Sequence, residues 1–187
     1  MRRRRLLHAV GTAGIVGLAG CSGETAASGE SLVVSSPELG GETLPVRFTC
    51  DGAGLSPPVR IERVPEPTAA LAVVAEYDRG VINEPVFWTL WNVPPETERI
   101  PAGLPRRPTL PDLGGARQGR WEGGDVGYEP PCPPEGQPYT HRFQLYALGE
   151  RVPIEGGAAH EPATEAIGDR VLASRRFTVD YSRTPTA

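Results

Sequence analysis

Lysine is absent from the 187 residues, and methionine occurs only at position 1. All 19 basic residues are therefore arginine, against 23 acids. Removal of an N-terminal export segment that carries four of the arginines would leave 15 against 23, a net charge of −8. Such a chain has no basic patch to neutralise phosphates, which excludes nucleic acid as an expected partner. The missing lysine has two readings, a GC-rich genome or an exported surface adapted to high salt. Histidine is nearly as scarce, at positions 8, 141 and 160, and the three cysteines are Cys21, Cys50 and Cys132. No G-x-S-x-G elbow is present, and no apolar run reaches the length of a membrane-spanning helix.

What is abundant is punctuation. The 21 prolines and 23 glycines are scattered between short apolar runs rather than gathered in a repeat, so the chain reads as one loop-rich β domain without long helices. With 39% hydrophobic residues it can bury a real core.

The N-terminus, MRRRRLLHAVGTAGIVGLAGC, has a cationic start followed by a weakly apolar, glycine-rich segment, and reads as an export signal over residues 1–20. RRRLL at residues 3–7 fits the twin-arginine pattern, and equally an ordinary positive flank. LAGC at residues 18–21 resembles a lipobox, which would make Cys21 a lipidated N-terminus. Residues 21–31 then form a flexible tether, since SGETAASGE has nothing apolar larger than alanine. The expected product is exported and held by lipid at the extracytoplasmic face of the cell membrane, with residues 184–187 as a short tail.

Past the tether the period is that of strands. Val46, Phe48 and Cys50 alternate with Arg47 and Thr49, and Val59 and Ile61 with Arg60 and Glu62. ALAVVA at residues 70–75 is apolar throughout, which suits a strand covered on both faces. VFWTLWNV at residues 86–93 stops at Pro94, and Phe143, Leu145 and Ala147 alternate behind the proline-rich stretch GYEPPCPPEGQPYT. Residues 162–176 have the spacing of a helix, with Ala166, Ile167, Val171 and Leu172 near one side and Gly168 as a possible early stop. A last strand is expected over residues 177–181.

FTCDGAGLSPPVRIERVP, FWTLWNVPP, GARQGRWEGGDVGYEPPCPP and HRFQLYAL, in that order, resemble the phosphatidylethanolamine-binding protein (PEBP) family, in its branch of YbhB/YbcL-type Raf kinase inhibitor-like proteins. The resemblance covers residues 32–183. It implies a mainly β domain, a Greek-key antiparallel β-sandwich with a small C-terminal helix, and a shallow anion pocket at one end of the sheets. The proline-rich loop would form one wall, with Pro131 and Tyr128 as lining residues, and His141 would point in from the strand that follows.

Two departures stand out. The family's HW pair is Phe87-Trp88 here, so one pocket histidine is missing. Its DPDAP motif is represented by EYDRGV, in which either Asp78 or Glu76 is the acidic candidate. A family member exported in this way would have Cys50 and Cys132 left to pair at the same end of the sandwich, the alternative being two separate buried thiols. With one histidine in a pocket and two cysteines paired, zinc has too few ligands, and no metal or cofactor is expected. The function that follows is a lipid-anchored binding or inhibitory module for a small anionic or phosphorylated ligand or a protein partner. The alternative is a hydrolase using Cys132 or a serine with His141.

Overall fold

The computed structural model describes residues 31–78, 80, 85–121 and 124–183. The signal, Cys21, most of the tether and the tail lie outside the described residues.

Among the described residues nine strands and one α-helix follow one another as β1 (Val33–Ser35), β2 (Val59–Arg63), β3 (Ala70–Asp78), β4 (Val86–Val93), β5 (Arg99–Ile100), β6 (Thr109–Leu110), β7 (Ala116–Gln118), β8 (Tyr139–Leu148), α1 (His160–Gly168) and β9 (Val171–Tyr181). A three-stranded sheet has the order β1-β2-β5 and a six-stranded sheet the order β6-β7-β4-β3-β8-β9. Every pairing between these strands is antiparallel. Within the large sheet β8 returns by a long connection to lie beside β3, so that β8-β3-β4-β7 has the 4-1-2-3 order of a Greek key.

The apolar run of β3 is explained by its neighbours. Leu71, Val73 and Ala75 face the small sheet, in a core with Val34, Val59, Ile61, Phe143 and Leu145. Ala72 and Val74 face the other way, against Trp91, Val152 and the α1 residues Ala163 and Ile167. The molecule is thus three layers, and the large sheet is its middle. Asn92 locks the end of β4 to the loop before α1. It has a left-handed backbone (φ 58°), and its side chain donates to Val152 O (2.9 Å) and accepts from Val152 N (2.8 Å).

Two expectations are corrected. Val46–Phe48 is a 3-10 turn rather than a strand, with bonds from Phe48 N to Pro45 O (2.9 Å) and from Thr49 N to Val46 O (3.0 Å). Local turn bonds behind Pro45 win over the alternation because no sheet edge takes this segment, and Val46 is left 55% exposed. The helical spacing over residues 162–176 is cut short at Gly168, the early stop that the sequence offered, and the Arg170 side chain caps Ala166 O at 2.7 Å. From Val171 the chain instead pairs with β8 along its whole length, a long-range gain that local helical spacing cannot register.

Candidate functional site

The ladder between β3 and β8 sets Tyr77 directly opposite His141, and β9 sets Val179 on the other side of that histidine. Partners in such a ladder share a face, so all three point toward the small sheet. A bulge in the β3–β4 register, between Ala75 paired with Trp88 and Glu76 paired with Val86, adds Phe87 to the same side as Trp88. His141 consequently sits in a cage of rings. Tyr77 lies at 5.1 Å, Phe87 at 5.9 Å and Tyr181 at 6.5 Å between centroids.

His141 is fully buried, and neither ring nitrogen has a hydrogen-bond partner. The backbones of Val179 and Tyr139 lie near enough to favour the charged form weakly, without hydrogen bonds of normal geometry. Burial dominates and lowers its pKa to about 4. The ring is neutral at physiological pH.

The proline-rich loop closes over this cage. Tyr128 is buried edge-on against Phe87 (5.9 Å) and Trp88 (5.5 Å), and its hydroxyl donates to Phe48 O at 2.7 Å. Burial pushes that phenol well above its ordinary pKa. Pro131 is buried, and its carbonyl accepts from Cys50 N at 3.2 Å. Next to that contact Cys50 and Cys132 form a disulfide, with Cα atoms 5.3 Å apart. Trp88 donates to Gln118 Oε1 (3.0 Å), while Gln118 Nε2 donates to Pro105 O (2.8 Å) and Arg107 O (3.2 Å), a buried polar group with its bonds made. Gly52 belongs to the same wall for a steric reason. A Cβ there would stand 2.1 Å from Val46 O.

The two acidic candidates lie elsewhere. Glu76 pairs with Arg142 and Asp78 with Thr140, so both project from the opposite face of the sheet to Tyr77 and His141. There Arg142 bridges Glu76 (2.7 Å) and Asp78 (2.6 Å), and the Arg142 bond holds the Asp78 carboxyl below its ordinary range. The structure therefore gathers His141, Phe87, Trp88, Tyr128 and Pro131, and leaves Glu76 and Asp78 outside.

Tyr77 and Tyr181 were missed by sequence reasoning. Strand alternation through EYD was the available signal for Tyr77, because it gives Glu76 and Asp78 one face and Tyr77 the other. Also unanticipated is Asp51, whose carboxylate accepts from the Tyr181 hydroxyl and from Arg183 Nε (3.0 and 3.2 Å). These bonds, the tyrosine's first, hold the Asp51 carboxyl below its usual range. On the helix side of the sheet, His160 Nδ1 and Thr89 Oγ1 share a buried hydrogen bond of 2.9 Å.

Chemically the cage can offer one neutral N–H and one neutral acceptor in an aromatic surround, and among the described residues no cation is directed into it. Cys132 is bound in the disulfide, which removes it as a thiolate partner for His141. Among the described residues no group of three or more His, Cys, Asp or Glu is placed to hold a metal ion. Two clefts, of about 160 Å³ beside Leu104 and Leu110 and about 350 Å³ between residues 32–34 and 173–175, include none of the cage residues.

Residues 34–182 match the family model described as phosphatidylethanolamine-binding protein. A UPF0098 protein of Pyrococcus abyssi is 32% identical over 166 residues, covering 88% of this chain and 91% of the relative. The UPF0098 protein YbcL of Escherichia coli is 32% identical over 137 residues, 72% of this chain and 75% of its own. The crystal structure of E. coli YbcL, described as a member of the mammalian PEBP family, superposes with a TM-score of 0.73 at 26% identity, over 82% of this chain and 99% of that one. A PEBP homolog from Chlamydia trachomatis superposes at 0.68 with 25% identity, over 82% and 98%.

Proposed function

This chain belongs to the phosphatidylethanolamine-binding protein family, and from that premise we propose that it is a binding module rather than a catalyst, carried outside the cytoplasm on a lipid at Cys21. Its ligand is a small molecule with one hydrogen-bonding group, received at His141 when the proline-rich loop over the cage gives way. Anionic and phosphorylated headgroups bind there only weakly.

The observation that carries this reading is the unpartnered, fully buried ring of His141. An unmet buried donor costs about 1–3 kcal/mol, which a ligand atom at that position would return. The aromatic surround, with Phe87 in place of a second histidine, offers no charge to balance a phosphate. A disulfide-held loop that forms the wall without a ligand suits recognition, since rigid donors lose little ordering entropy on binding. The export signal and lipobox support the location.

Calorimetry and crystal soaks of the purified domain with phosphate, cacodylate, phosphoethanolamine and a neutral polar probe such as imidazole test the reading. Millimolar or weaker binding of the anions, abolished by His141→Ala, is expected. Micromolar phosphate binding that survives His141→Ala would overturn the site, and turnover on a panel of ester and peptide substrates would overturn the class.

A further inference from the structure

The large sheet ends on β9, and only one end of that edge is covered. Asp180 N donates to Glu42 O at 2.9 Å and Asp180 O accepts from Leu44 N at 2.8 Å, so its backbone groups point away from β8. The β8–β9 register runs without a break from residue 181 back to residue 173. Alternation therefore turns the N–H and C=O of Thr178, Arg176 and Ser174 outward as well. Among the described residues no backbone bond meets these groups.

Natural sheets blunt such an edge by keeping it short, by proline, by a bulge or by charged side chains, and β9 uses only the last of these along residues 174–178, with Arg175 and Arg176. β9 is 11 residues long and contains no proline, its one register irregularity lies between residues 171 and 173, before the open stretch, and its chain already accepts one added residue, in the parallel bridge between Thr43 and Asp180. Beyond that bridge lies the cleft of about 350 Å³ between β1 and β9, with Leu32, Val34 and Ala173 as its apolar lining. Arg175 and Arg176 flank the open edge, one on each face. Both are exposed and neither makes a salt bridge among the described residues, although the Arg176 charge lies near enough to Asp78 to help hold that carboxyl ionised.

We propose that the free edge of β9 at residues 174–178, with the cleft beside it, is a docking site for an extended acidic segment of a partner protein. The segment adds a strand to the large sheet, its main chain meeting the outward groups of Ser174, Arg176 and Thr178. Its acids meet Arg175 and Arg176, and one apolar side chain enters the cleft against Leu32 and Val34. Backbone bonds supply affinity in this mode and the side-chain pocket supplies selectivity. A second copy of this chain fits less well, since antiparallel pairing of two β9 edges would set the arginine pairs of both copies close together. None of these residues belongs to the His141 cage, so the surface stands independently of the ligand reading.

A fluorescein-labelled extended peptide of valines around a central pair of adjacent glutamates, which puts one acid on each face of the added strand, its lysine counterpart and a proline-interrupted version are the probes. Anisotropy is expected to show binding of the glutamate peptide, weakened by salt, with the other two weaker by about tenfold or more. The charge reversal Arg175→Glu with Arg176→Glu should swap the preference to the lysine peptide, which a merely misfolded variant would not do. Amide hydrogen exchange should slow at Ser174, Arg176 and Thr178 and stay unchanged at Arg175 and Phe177, whose amides already face β8. Absence of binding, equal binding of the two charged peptides, or slowed exchange confined to other segments overturns the proposal. Concentration-dependent dimerisation through β9 would give the edge to a second copy and overturn it likewise.

Discussion

Tyr77 stands directly across the β3–β8 ladder from His141, with ring centroids 5.1 Å apart and planes tilted by 57°. The same register sends Glu76 and Asp78 through to the far side of the sheet, where Arg142 holds both. A tyrosine thus faces the histidine while both acidic candidates, Glu76 and Asp78, lie on the other side, and the described cage is neutral as a result.

Restoring polarity should therefore take two changes. Phe87→His alone is expected to raise phosphate affinity modestly, and Phe87→His with Tyr77→Asp to alter it further by providing the acid that keeps the new imidazole charged. Each charge-assisted bond gained is worth about 1.5–3 kcal/mol, tenfold or more in binding. The gain should grow below about pH 6.5, where an unperturbed imidazole is charged, and vanish with His141→Ala. Calorimetry that finds no response to any of these changes would place the site elsewhere.

Acid should destabilise the domain earlier than its carboxylates predict. His141 and His160 are both held at about 4 by burial. The unfolded chain takes up protons as pH falls through about 6.5, while the folded chain resists until about 4, so stability is full above that window and falls across it. The loss is roughly 3 kcal/mol per histidine, at up to about 1.4 kcal/mol per pH unit. Asp51 and Asp78, with lowered pKa values, contribute their loss only below about pH 4. Urea unfolding between pH 7 and 4.5 should slope downward, and His141→Phe and His160→Gln should each flatten it. A level wild-type profile would contradict the burial of both rings.

Breaking the bridge between Cys50 and Cys132, 82 residues apart in sequence, should lower stability by about 3–4 kcal/mol. Denaturant curves of the Cys50→Ala, Cys132→Ala double variant measure it. Thiol titration of the unfolded, unreduced domain should find neither cysteine reactive.

Gly52→Ala should cost more than about 2 kcal/mol, because the added methyl meets the backbone carbonyl of Val46, which cannot swing aside like a side chain. Gly41→Ala, with open space around its Cβ position, is the control and should change little.

At the membrane, Cys21→Ser should yield an uncleaved or soluble exported form, since a tether without acyl chains keeps little membrane affinity. An unmodified Cys21 in the native mature protein, seen by mass spectrometry, would refute the anchor. Replacement of Arg3 and Arg4 by lysine should block export if the route is twin-arginine.

Much of the fold was legible because its central strands carry their own period. β3 reads as doubly covered and is, and β2 and β8 alternate with the faces they bury. The segment at Val46 and the stretch after Gly168 were not legible. In each, the outcome depends on whether a distant edge is there to be paired, and 3.6-residue spacing at Val171 and Leu172 says nothing of β8. At the site, the histidine and the loop wall came from motif order, whereas the acid was sought by aligning a motif whose prolines are gone. Counting faces along the strand would have selected Tyr77. Asp51 and Tyr181 meet across 130 residues, and nothing local announces such a pair.

Both halves of the cystine are exposed residues, which puts the bridge at the surface of the folded protein, where a small reducing agent meets it first. Once opened, the proline-rich wall would be left to contacts such as Cys50 N to Pro131 O and the Tyr128 hydroxyl to Phe48 O. Samples kept in dithiothreitol, or made in a reducing cytosol, are on that account a different molecule from the disulfide-bonded one. Preparation history then becomes a variable of every ligand measurement.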